Sequence, residues 1–322
     1  TQALGSSFVL NNDLDWALDV NLTGKTADTL TVTGITTNNN NINISSANIN
    51  WLGSNTSIGE QKIALTGANS DLANAISVSG TYATDGKTYN LTKTVTDNIA
   101  YLTFNYGNLY TAVKDTGADR TYTMSTDENV AQNLGNMGGT KLTIEGNGHS
   151  IEGTVDNGDG TTTSYEGVSV ASGQTLAVNN VGSLNTDGTV NKSWKNARGG
   201  AIYNEGTLNV NDSVFSNNTS SNAGGAIYNK TGTINITGGT FESNSAAQGG
   251  AIRNDDTMSI TNVEFKSNSS TANGGAIKNN GTNASITSII ANFDSNKVES
   301  TGTNAQGGAI YNTGEIANIK GD

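Results

Sequence analysis

The sequence has 322 residues, with 40 Gly, 48 Asn and 45 Thr but no Pro, no Cys and one His, and a net charge of −12. Without Cys there is no disulfide framework, thiolate metal site or Cys nucleophile, and a single His excludes a His-rich zinc centre. The sequence pI of about 4.4 argues against nucleic acid and anionic membranes, which need a basic surface, and no apolar run approaches the roughly 20 residues of a membrane helix.

Asn, Thr, Ser and Gly are all poor in helix interiors, so this composition predicts an all-β chain with many turns. Charged residues are only 14 %, and Pro is absent, which is unlike ordinary disorder. Residues 1–108 carry alternating runs such as Leu30-Thr31-Val32-Thr33, Ile42-Asn43-Ile44 and Ile63-Ala64-Leu65. Strands at Tyr89–Thr92 and Tyr101–Tyr106, with Asp97-Asn98 at the turn, predict a hairpin. This segment reads as irregular β structure, the close of a preceding solenoid. Residues 109–138 read as a junction, rich in charge (Lys114, Asp115, Asp119, Arg120, Asp127, Glu128), with a helical turn near Glu128 to Leu134. From 139 onward rungs are expected, the early ones at Gly139–Gly146 and Gly173–Val178, with Thr154 to Tyr165 as an exposed loop.

From 196 the chain repeats. GGAI occurs at Gly199, Gly224, Gly249, Gly274 and Gly307, spaced by 25, 25, 25 and 33 residues. Each copy continues through one variable residue to an Asn: Asn204, Asn229, Asn254, Asn279 and Asn312. Between copies falls Phe-x-x-Asn, ending at Asn218, Asn244, Asn268 and Asn296. A unit of about 25 residues holds three short strands and three turns, and cannot bury its own apolar face. Stacking coil on coil buries it, which predicts a parallel β-helix. The two Asn positions are expected to point inward and form amide ladders, and the Gly pair to mark a tight corner. The extra length of the last interval is expected at Asn283–Ile290 and Lys297–Ala305. Twelve rungs, or about 60 Å, would accommodate the whole chain.

These alternating GGAI and FxxN motifs resemble the passenger domains of bacterial autotransporters of the polymorphic outer-membrane protein type. The resemblance is strongest over residues 196–322, looser over 139–184 and weak over 1–120. It implies a right-handed parallel β-helix, a hand that the chirality of parallel crossovers also favours. It further implies a surface-exposed adhesin or structural rod, exported across the outer membrane and attached to a C-terminal membrane barrel absent from this chain. Thr1 opens without a leader, and no FxxN follows Gly307, so the chain is expected to be part of a longer polypeptide. Absence of Cys suits passage through an oxidising periplasm and a narrow pore.

The outward position of each GGAI strand forms a second column: Tyr203, Tyr228, Arg253, Lys278 and Tyr311. Aromatic and cationic side chains at rung spacing can stack on sugars or meet a protein, or can simply stack on each other. A cell-surface glycan or protein is the expected partner, with no nucleic acid, membrane insertion, cofactor or catalysis by this segment. Parallel β-helices also host polysaccharide lyases and glycoside hydrolases, which need clustered carboxylates or a cationic base. The three Arg (Arg120, Arg198, Arg253) adjoin no compact acidic motif, and His149 and Asp255-Asp256 both read as turn residues. Asp156 and Asp159 are a weak Ca²⁺ candidate, lacking the twelve-residue loop and its terminal Glu. Ice binding needs Thr-x-Thr at one fixed position. Thr207, Thr233 and Thr257 align, but Asn209, Asn235 and Ser259 stand where the second Thr belongs.

Overall fold

The computed structural model describes the chain apart from residues 1, 4–7, 22–25, 33–34, 46–48, 52–61, 85–86, 158–160, 196–197, 300–304 and 321–322. Two compact units emerge, Thr1–Gly117 and Ala118–Asp322.

Within the first unit, short strands pair in parallel between successive turns of chain. Leu14–Asp15 lies beside Ile42–Ser45, which lies beside Ile76–Ser79. An antiparallel group follows. Lys87–Thr96 pairs with Ile99–Tyr106 around Asp97 and Asn98, both with positive φ, and Thr81–Thr84 and Lys62–Ala64 flank them. The predicted hairpin is thus present, with Tyr89 opposite Tyr106 at its open end and both strands running further toward the turn than expected. Period-2 burial along Ile99–Tyr106 shows why it forms: Ala100, Leu102, Phe104 and Tyr106 all turn inward. Two short helices, Ser70–Ala75 and Leu109–Lys114, were not anticipated. Each starts at an Asn cap, where the Asn69 and Asn108 side chains accept from the amides of Leu72 and Thr111. The turn expected at Glu128–Leu134 is not helical; Glu128–Asn129 is a strand.

The second unit is a parallel β-helix. Its first strand, Asp119–Thr123, already stacks on Lys141–Glu145, so the coils begin inside the stretch read as a junction. Charge hid this tier. Arg120 occupies the inward position held below it by Leu142, Leu176 and Leu208, and is 4 % exposed. Its guanidinium is held by the carbonyls of Lys141 and Gly138, at 3.2 and 2.7 Å. The ladder then runs through Ile234, Met258, Ile286 and Ile316, making eight tiers. Seven steps at ~4.8 Å give about 34 Å, shorter than the twelve-rung expectation. The reason is that the first unit does not share this ladder and that the early coils are long, 34 and 32 residues between Leu142, Leu176 and Leu208.

Each regular coil has one strand ending in the GGAI Asn (Ile252–Asn254). A bend follows, then a strand of alternating residues (Thr233–Thr237), a corner, the Phe strand (Thr240–Glu242), and a fourth short strand (Ser245–Gln248). Inward residues build an aliphatic column at Val178, Val210, Ile236, Ile260 and Ile289. Beside it stands an aromatic stack: Phe215, Phe241, Phe265 and Phe293 lie 5.0–5.2 Å apart, with interplanar angles of 6–17°. Trp194 begins that stack, 5.7 Å from Phe215, one tier before the first FxxN.

The two glycines of GGAI act differently. Gly249 has φ +65°, the left-handed region that suits Gly. At Gly250 a Cβ would run into the Gly275 carbonyl oxygen of the next coil. Part of the eight-residue excess of the last interval sits at the turn 280–284, somewhat earlier than the expected Asn283–Ile290, and the rest falls between Val298 and Gln306, where it was expected. Asn279 and Ser285 bracket five positions where Asn254 and Thr257 bracket two.

Candidate binding face

Both Asn columns form continuous amide ladders. Asn204, Asn229, Asn254 and Asn279 are fully buried, and each donates from Nδ2 to the Oδ1 of the next, at 2.7–2.8 Å, ending on Asn312. Asn218, Asn244 and Asn268 do the same down to Asn296, at 2.9–3.0 Å. The second Nδ2 proton goes to a backbone carbonyl, as from Asn244 to Phe215. A primary amide has two donors and an acceptor with two lone pairs, so this arrangement pairs both amide protons of a buried ladder Asn such as Asn244. In the FxxN corner the residue before each Asn is left-handed: Asn217, Ser243, Ser267 and Ser295, with φ 53–55°.

The outward column comes together as a single row. Tyr203 and Tyr228 meet edge to face at 5.4 Å. The Arg253 guanidinium lies 5.0 Å from the Tyr228 ring, and Lys278 Nζ 5.6 Å from Tyr311. Much of the polar chemistry of the row is consumed internally. Arg253 makes a two-pronged contact with Asp255, Nε to Oδ1 and Nη2 to Oδ2, both 2.8 Å. Tyr228 donates to the same Asp255 Oδ2 at 2.9 Å. Gln248 Oε1 accepts from both Arg253 Nη1 and Lys278 Nζ. Burial and the Asp255 hydrogen bond push the Tyr228 hydroxyl up to about 12. Lys278 is 6 % exposed, and burial followed by the nearby Arg253 charge lowers its pKa.

Sequence reasoning placed Asp255 in a turn. It is in one, but it also anchors the row, and Gln248 and Glu205 join it; Glu205 accepts from the Tyr203 hydroxyl at 3.0 Å. The only signal was position, since Asp255 follows the ladder Asn254 directly and therefore lies beside the outward residue of the tier above.

The other candidates separate. His149 sits in a turn, with Nδ1 3.3 Å from Asp127 Oδ1. The same carboxylate accepts from the Ser150 amide and from Lys192 Nζ, at 2.9 Å each. Those bonds, Ser150 foremost, hold Asp127 down at about 2. The segment Thr154–Tyr165, expected as a loop, contains an antiparallel pair, Thr154–Asp156 with Thr162–Ser164. Asp159 and the Asp156 side chain lie outside the described residues. Among the described residues, no three His, Cys, Asp or Glu side chains group as a metal site requires.

The corner, the fourth strand, the Gly pair and the ladder Asn make one transferable unit, and comparison with known families picks out that unit. Residues 212–230 and 262–280 match the Chlamydia polymorphic membrane protein repeat. Those two stretches are repeats of the polymorphic membrane protein type. Each matched stretch runs from just before the Phe, through the Asn ladder corner, to just past the next ladder Asn. Polymorphic membrane proteins are outer-membrane and surface proteins. No curated protein and no solved structure matches this chain. No helix among the described residues is long and apolar enough to cross a membrane.

Proposed function

We propose that this chain is passenger material of an autotransporter-like protein, displayed at the cell surface and acting as an adhesive rod rather than a catalyst. The observation that carries this reading is the outward row on a repeat of the polymorphic membrane protein type. It holds three tyrosines, an arginine and a lysine fixed at coil spacing on a rigid sheet, with rings and flanking edges half-exposed. Pre-ordered aromatic side chains lose little entropy on contact, so they favour binding. The partner is a glycan or protein on a host or neighbouring cell, and the full polypeptide includes a membrane barrel that anchors the rod.

The test is saturable binding of the purified chain to host and bacterial cells. Replacing Tyr203, Tyr228 and Tyr311 together by Ser is expected to lower binding at least about tenfold while circular dichroism stays that of the parent. Unchanged binding in that variant would remove the row from the mechanism. Release of sugars from the same cells would favour a glycan-cleaving enzyme instead.

A further inference from the structure

The outward row changes character at one step. In register with Tyr203, on the tier before it, stands Ser169, whose side chain is too short to cover a ring. The two strands slip at the same place. Glu166 faces Arg198 but Val168 faces Ile202, so the first GGAI copy bulges against Gly167. The fourth sheet begins here too, with Thr219–Ala223 as its edge strand. These three irregularities open a groove of about 340 Å³, lined by Glu166, Gly167, Ser169, Gly200, Tyr203 and Ser221. That volume is at the small end of ligand sites.

We propose that this groove binds one non-acidic pyranose unit of a cell-surface glycan. The inference rests on the adhesive reading above and names its ligand class. An aromatic ring has an electron-rich face that suits the C–H face of a sugar. Glu166 accepts hydroxyl protons, and the Ser169 and Ser221 hydroxyls donate or accept. Acidic sugars are disfavoured by Glu166 and by the net charge of −12. The row's cations do not offset this, since Arg253 is engaged by Asp255 and Lys278 is buried.

The experiment uses the whole chain and saturation-transfer NMR. The probes are methyl glycosides of glucose, galactose and N-acetylglucosamine, with those of glucuronic and N-acetylneuraminic acid as the acidic arm. At least one neutral glycoside is expected to bind with Kd on the order of 1 mM, as one shallow sugar contact allows. Ser169→Tyr extends the tyrosine row by one tier and fills the groove, so it should weaken binding at least about tenfold with the fold kept. Ser221→Trp blocks the groove from its exposed wall, independently of the row, and should do the same. Cell binding is measured beside it. Parent-level sugar binding in both blocked variants, binding of the acidic glycosides alone, or no glycoside binding by a chain that adheres to cells would each overturn the groove assignment and leave the adhesive reading standing. A chain that binds neutral glycosides but no cells would instead overturn the adhesive reading.

Discussion

At the scale of single residues, stability is concentrated in positions that repeat. Asn254 is fully buried, accepts from Asn229 and donates to Asn279. Asn254→Ala strands a donor above and an acceptor below, each costing about 1–3 kcal/mol when buried. We expect a loss of about 2–4 kcal/mol in denaturant unfolding. Asn312→Ala, at an exposed site with one ladder neighbour, should cost under about 1 kcal/mol. Equal effects at the two sites would show that the ladder contributes little. The left-handed serines run the other way. An L-residue at the φ of +53° seen for Ser267 gives up about 1 kcal/mol, which Gly avoids at a cost in chain entropy. Ser267→Gly should therefore raise stability slightly, by up to about 0.5 kcal/mol, seen as a higher midpoint of thermal unfolding.

At the scale of elements, side chains stitch tiers that the backbone ladders alone hold in register. Asp255 ties Tyr228 of one tier to Arg253 of its own, with Asn280 at 3.4 Å from the next. Asp255→Ala leaves a half-buried guanidinium without its carboxylate. The expected loss is about 2 kcal/mol, less than for a fully buried pair. The Tyr228 hydroxyl should then titrate nearer its ordinary value of about 10, readable from its ring resonances during an alkaline titration. Asp127 plays the same part among the early tiers, but it is nearly half exposed, so its contribution is under about 1 kcal/mol. Its carboxyl is depressed in the folded chain. The stabilisation is therefore present above about pH 4 and fades as pH falls toward about 2. Asp127→Asn should lower the melting temperature at pH 7, and the gap from the parent should close across that acidic window.

At the scale of the whole molecule, a solenoid gains from each tier only what it shares with its neighbours. Interior coils between Asn204 and Asn273 are covered on both sides, whereas Ile310–Asn312 and Ile319–Lys320 have a described neighbour on one side only. Amide exchange should be slowest in the interior coils and fastest at residues 310–320, with a gradient between. Uniform protection would mean that the coils open as one block. Charge does not organise the molecule as regularly. The outer positions of the Phe strand read Ser216, Glu242, Lys266 and Asp294, so like charges are never adjacent there.

The coils, their inward faces, both Asn ladders and the outward row were legible in the sequence. Each regular tier offers a residue the same surroundings as the last, so the same residue recurs at the same spacing, and strand alternation assigns its side. The early rungs at Lys141–Glu145 and Thr175–Asn179 were legible, but the first tier, Asp119–Thr123, and the lengths of the early coils were not. Arg120 ends the aliphatic column with a charge, and the 34- and 32-residue coils carry the inserted pairs Thr154–Ser164 and Ser183–Lys192, which follow no period. The helices were hidden too, each only six residues long and set by one capping Asn. The partners of Asp255 and the groove beside Tyr203 were decided by tertiary structure. Stacking at about 4.8 Å brings residues some 25–34 positions apart into contact. Which of them touch depends on local bulges such as the slip at Gly167, which a repeating pattern by its nature does not encode.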